Sequence, residues 1–229
     1  MGTYDIQING GTLIVKVVDR AALVTTELSQ LRSLIGTTTP VGFMVKSNPA
    51  SELKNGVRCP SDLQYSNCSM LQLCVENRCL VILLAHLDSF PQCLKDFLND
   101  QGINFVGDRM SYGLSVLKSS YGIKLQTGVN HYIEVSEFAS RVLKKPNICG
   151  SYLETIEKEV GFSRGECSKS VSIKDWGAKV FSVGEMQYAI QDVYSCYQIG
   201  NKLLNMLDEL EKCSIIIYFR CSFGGVFHV

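Results

Sequence analysis

Pro40 to Val45 (PVGFMV) is a short apolar run with no polar alternation. A strand with one wet face alternates; an unbroken run of this length fits a strand at the centre of a sheet, covered on both faces. Two further apolar strands, Ser69 to Val75 and Arg78 to Leu84, flank Glu76-Asn77 and read as a hairpin. Tyr4 to Asp19 reads as another, with Ile6 and Ile8 alternating before Asn9-Gly10-Gly11 and Leu13 to Val18 returning. Helices are expected over Ala21 to Ile35, Pro91 to Asn99, Tyr112 to Tyr121, Val135 to Leu143 and Leu153 to Val160. Ile103 to Val106 and Lys124 to Gly128 are strand candidates, and the polar stretch Asn48 to Asn67 reads as a surface loop. Strands first, then helices around further strands, predict an α/β fold: a mixed sheet flanked by helices. The expected domain spans residues 4 to 210, followed by an apolar tail, 211 to 229. That tail has no amphipathic pattern; it fits an added edge strand, an oligomer contact or a segment with no structural role.

The clearest helix is Met186 to Leu204. Met186, Ala189, Ile190, Val193, Cys196, Tyr197, Leu203 and Leu204 recur at helical spacing, and Ser182 with Glu185 forms a capping-box pattern ahead of them. Tyr188 and Asp192, one turn apart, share a face off that stripe. YAIQDVYSCYQIG resembles the third motif of the DEDDy 3′–5′ exonucleases, the RNase D and Werner-exonuclease-like family, and DWGAKVFS (Asp175 to Ser182) resembles that family's lead-in. The likeness runs from about Pro40 to Leu207. LQLCVENRCLVILL and DVYSCYQIGNK resemble the plant branch that includes the RISC-interacting clearing exoribonucleases.

The resemblance implies a ribonuclease H-like fold and phosphodiester hydrolysis with two divalent ions, Mg²⁺ or Mn²⁺, gathered by four carboxylates, with a tyrosine orienting the attacking water. Only one of the four acids is present. Met44 and Lys46 stand at the first motif's Asp and Glu, and Gly113 at the second motif's Asp; Tyr188 and Asp192 are retained. A thioether is a poor ligand for a hard cation, and an ammonium repels one. Asp192 is therefore expected to hold metal weakly at best. Asp108, Glu52 and Glu76 are the other acids near these segments, and none has motif spacing. Lys46 has three readings: an ion pair with Asp192 in place of metal, a phosphate contact, or a side chain in solvent. Met44, Lys46, Gly113, Tyr188 and Asp192 are expected to converge in one cleft at the edge of the sheet.

Composition excludes some alternatives. With 229 residues, 46% hydrophobic and 19% charged, the chain has the makings of one domain with a full core. No apolar run is long enough for a membrane span. The start, MGTYDIQING, lacks a secretory pattern, and Ile6 breaks the myristoylation pattern. Ten cysteines have no zinc spacing and are expected as free thiols of a reducing cytoplasmic or nuclear compartment. Net charge is zero, so Arg141, Lys144 and Lys145, and Arg164, Lys169 and Lys174, are expected as solvated faces. His86, His131 and His228 fall in separate segments, and Trp176 is expected as a core anchor rather than a base-stacking platform.

The expected function is a catalytically degenerate 3′–5′ exonuclease-like protein that binds single-stranded nucleic acid, RNA before DNA, or an RNA-silencing partner. The alternatives are an active exoribonuclease on short single-stranded RNA, and a structural or regulatory subunit of an exonuclease ring. As in the plant branch, the chain is expected to form a homo-oligomer or to join an active relative.

Overall fold

The computed structural model describes residues 2–8, 10–48, 68–125, 131–162 and 175–212, with side chains through residue 208. Seven strands and six α-helices alternate along these residues. They run β1 (Gly2–Ile8), β2 (Gly11–Val18), α1 (Ala21–Arg32), β3 (Val41–Ser47), β4 (Cys68–Val75), β5 (Arg78–Ile82), α2 (Gln92–Leu98), β6 (Phe105–Gly107), α3 (Met110–Tyr121), β7 (Tyr132–Glu134), α4 (Val135–Val142), α5 (Leu153–Val160) and α6 (Val183–Lys212). The sheet order is β1-β2-β5-β4-β3-β6-β7. β1/β2, β4/β5 and β3/β4 are antiparallel, whereas β2/β5, β3/β6 and β6/β7 are parallel. This is the mixed, helix-flanked sheet of a ribonuclease H-like α/β domain.

β3 and β4 lie inside the sheet, and every residue of β4 is buried, which explains why both are mostly apolar. Alternation assigns their two faces. Gly42, like Met44 and Lys46 on its side of β3, faces α6: a side chain at Gly42 would overlap the Val193 carbonyl and Tyr197. Gly200 meets Val106 at 3.0 Å in the same way. These two glycines let α6 settle directly on the backbone of β3 and on β6. Phe43 and Val45 point to the opposite face, where Gly113 of α3 packs on Val45. The expected stripe of α6 is buried from Met186 to Leu204. The capping box is formed: Glu185 accepts the Ser182 backbone N–H at 2.8 Å and donates its own N–H to Ser182 Oγ at 3.2 Å. α6 nevertheless extends beyond the expected span at both ends.

Two expectations are corrected. Cys74 and Cys79 are not free thiols. The two-residue turn pairs Cys74 with Cys79 across β4 and β5, Cα atoms 4.2 Å apart, and they form a disulfide. Cys68, Cys93, Cys149 and Cys196 are free. The strand expected at Lys124 to Gly128 is not seen where it is described: Lys124 and Leu125 carry no strand, and residues 126–130 lie outside the described set. The edge strand is Tyr132–Glu134 instead, too short to show an alternating pattern. Most of the expected loop at 48–67, Cys167, the second basic cluster and the tail from residue 213 also lie outside the described residues. No described helix is long and apolar enough to cross a membrane.

Candidate functional site

The C-terminal half of β3 carries Met44 and Lys46 toward α6, and the capped start of α6 presents Tyr188 and Asp192 in its first turns. Lys46 Nζ donates to Asp192 Oδ2 at 2.8 Å. The lysine side chain is 17% exposed and the aspartate 32%, so water screens the pair only in part. The same ammonium lies 5.2 Å from the centroid of the Trp176 ring, and Trp176 stacks on Tyr188 with centroids 6.3 Å apart and planes 21° apart. A chain of contacts thus runs Tyr188–Trp176–Lys46–Asp192. Of the three readings of Lys46, the solvent-pointing one is wrong.

Beside this chain lies a cleft of about 320 Å³, bounded by the end of β3, the start of α3 and Trp176. Met44, Lys46, Gly113 and Asp192 line it, and Tyr188 adjoins through Trp176. Four of the five expected positions therefore line one cleft, with Tyr188 beside it, over two interior strands, β3 and β6, rather than along a sheet edge. Trp176 packs against the core, as a core anchor would, and also lines the cleft.

The wall opposite is set by a residue with no sequence signal. Arg109 adopts a left-handed conformation just before α3, and α3 has no cap of its own. Glu134, at the end of β7, supplies one: its carboxylate accepts the N–H of Arg109 at 3.2 Å and of Met110 at 2.8 Å. Burial pushes the Glu134 carboxyl above its usual range, against the lowering effect of the Met110 N–H. Asp108 lines the cleft, and burial raises its carboxyl too; nearby Arg109 opposes this, and the Asp192 charge adds to it. Of the acids outside the motifs, Asp108 reaches the site. Glu76 sits in the β4–β5 turn at the far end of the sheet from Lys46, which pairs with Met70, and Glu52 lies outside the described residues.

Three side chains hold the segment that carries Trp176. Asn48 accepts the Trp176 N–H at 2.7 Å and donates to Asp175 Oδ1 at 2.5 Å. Asp175 Oδ1 also accepts the Gly177 N–H at 2.8 Å. The bonds from Asn48 and then Gly177 hold the Asp175 carboxyl below its usual range. His86 Nε2 lies 2.7 Å from the Gly177 carbonyl and, because a carbonyl only accepts, donates to it. His131 is buried among Phe105 and Tyr132, and burial lowers its pKa; it fills core. His228 lies outside the described residues. Arg141 and Lys145 face Glu137 at 3.9 Å and Glu159 at 2.5 Å, as on a solvated face.

The donor set does not fit two hard dications. The cleft's carboxylates are Asp108 and Asp192, and an ammonium is bonded to Asp192. Met44 is buried and offers sulfur; beside it on the same face Gln72 is fully buried, with an amide oxygen that has no hydrogen-bond partner. Among the described residues no group of three or more His, Cys, Asp or Glu could hold an ion.

A mixed, helix-flanked sheet crossed at its centre by one long helix is the architecture of a ribonuclease H-like domain. The family model described as 3′-5′ exonuclease matches residues 56–208, two-thirds of the chain, and the chain belongs to that family. The matched range takes in Gly113, Tyr188 and Asp192 and begins after Met44 and Lys46. No curated protein matches. Crystal structures of the EXD2 exonuclease domain are similar at low level. The form soaked in Mn and dGMP is 23% identical, covering 89% of this chain and 96% of that chain with a TM-score of 0.46. The unsoaked form is 22% identical, covering 90% and 97%, also at 0.46. At that level they carry nothing about the chemistry of the cleft.

Proposed function

We propose that this 3′–5′ exonuclease-like protein binds single-stranded nucleic acid, RNA before DNA, without efficient cleavage. The observation that carries the reading is the Lys46–Asp192 bond at 2.8 Å: a fixed monovalent cation occupies the position where the family's mechanism needs divalent ones. A metal-supported transition state is worth several kcal/mol, so its loss removes many orders of magnitude in rate. The test is a cleavage assay on short single-stranded RNA and DNA with Mg²⁺ or Mn²⁺, beside binding measured in EDTA. The expected result is metal-independent binding and no product. Metal-dependent cleavage that Asp192→Ala abolishes overturns this reading. It would favour an active exoribonuclease in which Asp108, already in the cleft, completes the site.

Self-association is a second proposal, supported by exposed Val180, ahead of α6, and Val183, at its start, and by the apolar sequence of residues 213–229. It is consistent with a regulatory role in an oligomer with an active relative. Light scattering showing a stable monomer at micromolar concentration contradicts it.

A further inference from the structure

We propose that Asp175–Gly177 is a strap that seats Trp176 over Lys46 and restricts access to that ammonium, with Asn48 and His86 as its clasp. Neither clasp residue belongs to a motif. The inference rests on the reading of the cleft as a ligand site only in its final experimental arm.

An ammonium has three donors and no lone pair. One donor of Lys46 goes to Asp192, and the Trp176 ring, itself stacked on Tyr188, approaches the same ammonium. An indole engaged on both Tyr188 and Lys46 serves as a cover more readily than as a platform for an incoming base. What keeps it there is not secondary structure. The strap has three successive residues, and each is held by a side chain or by Asp175 itself. The Trp176 N–H goes to Asn48, the Asp175 carboxylate to Asn48 and the Gly177 N–H, and the Gly177 carbonyl to His86. Asn48 directly follows the β3 end that carries Lys46, so one residue couples the strap to the strand beneath it. Asp192 and Trp176 thus narrow the approach of an anionic ligand to Lys46, leaving it the side that faces the cleft.

The experiment uses the full chain and reads Lys46 directly. Lysines are acylated with a limiting amount of a small N-hydroxysuccinimide ester, and site-specific rates are read by peptide mass spectrometry. Exposed Lys124 and Lys144 serve as internal references. Asn48→Ala and Trp176→Leu should each raise the Lys46 rate several-fold relative to both references. Trp176 is the only tryptophan, so its emission should shift to the red in Asn48→Ala as the ring loosens. The paired exchange Asn48→Asp with Asp175→Asn preserves the donor and acceptor count and should return both readouts toward the unmodified protein. An unchanged Lys46 rate in either single variant overturns the proposal. So does a rise shared equally by Lys124 and Lys144, which reports general loosening. In the final arm, Asn48→Ala should bind short single-stranded RNA more tightly. If acylation of Lys46 accelerates but RNA binding is absent in both proteins, the strap stands and the nucleic-acid reading fails.

Discussion

A double-mutant cycle on Lys46 and Asp192 tests whether their contact is an integral part of the fold. The perturbations are Lys46→Met, Asp192→Asn and the two together. A hydrogen bond to a charged group contributes about 1.5–3 kcal/mol, and a solvent-exposed ion pair about 0.2–1 kcal/mol. With side chains 17% and 32% exposed, this pair falls between, and a coupling energy of about 1–2 kcal/mol is expected. Asp192→Asn should be the costlier single change, because it strands the more buried charge, while Lys46→Met leaves a carboxylate that water partly reaches. Urea unfolding gives the four stabilities; in thermal melts each kcal/mol should appear as about 2–4 °C for a chain of this size. Raising salt from 0.1 M to 1 M shortens the screening length from about 10 Å to about 3 Å, and a part-buried contact should keep most of its coupling. Additivity within about 0.3 kcal/mol would refute the reasoning, because the pair would then be a surface contact with no structural role.

Three further outcomes are expected. Met44→Asp with Lys46→Glu should melt below the unmodified protein without metal and gain stability with Mn²⁺, by about 2.7 kcal/mol at a hundredfold excess over Kd; calorimetry showing no Mn²⁺ response would count against the assignment of these positions. Asp108 has a raised carboxyl pKa in the fold, so its stabilising contribution is present below the unfolded value and is lost as pH rises through the folded one. Asp108→Asn should therefore raise the melting temperature at pH 7, with the gain shrinking toward pH 4; a pH-independent difference would show that its ionisation is not penalised. Non-reducing peptide mapping should recover the Cys74–Cys79 link, and reduction should destabilise the domain by about 2 kcal/mol for so short a loop.

The parts of the site that could be read in advance are those where a side-chain period or a motif interval fixes position. The 3.6-residue stripe and the Ser182/Glu185 pair located α6, and the interval between Tyr188 and Asp192 set their shared face. Met44 and Lys46, two apart on a strand, had to share a face as well. Asp108 and Glu134 follow neither rule: they meet α3 through a left-handed Arg109 and a three-residue strand, neither of which leaves a pattern. Asn48 and His86 act on a turn far away in sequence, and that pairing exists only in three dimensions. The disulfide did have a signal. A two-residue turn at Glu76-Asn77 puts Val75 opposite Arg78 and Cys74 opposite Cys79, a count along the hairpin that spacing rules for zinc do not make.

The burial around Met44 bears on how such a chain can change. Met44→Asp would put a carboxylate into a nearly dry position beside the unpartnered Gln72 oxygen. Lys46→Glu would set two carboxylates against each other, and Gly113→Asp would bring a Cβ to 3.3 Å from Val45. The first two steps each place an uncompensated charge in the cleft, and none of the three alone assembles a metal centre. Building a metal centre into this cleft therefore takes several substitutions made together, each altering the packing that the others need.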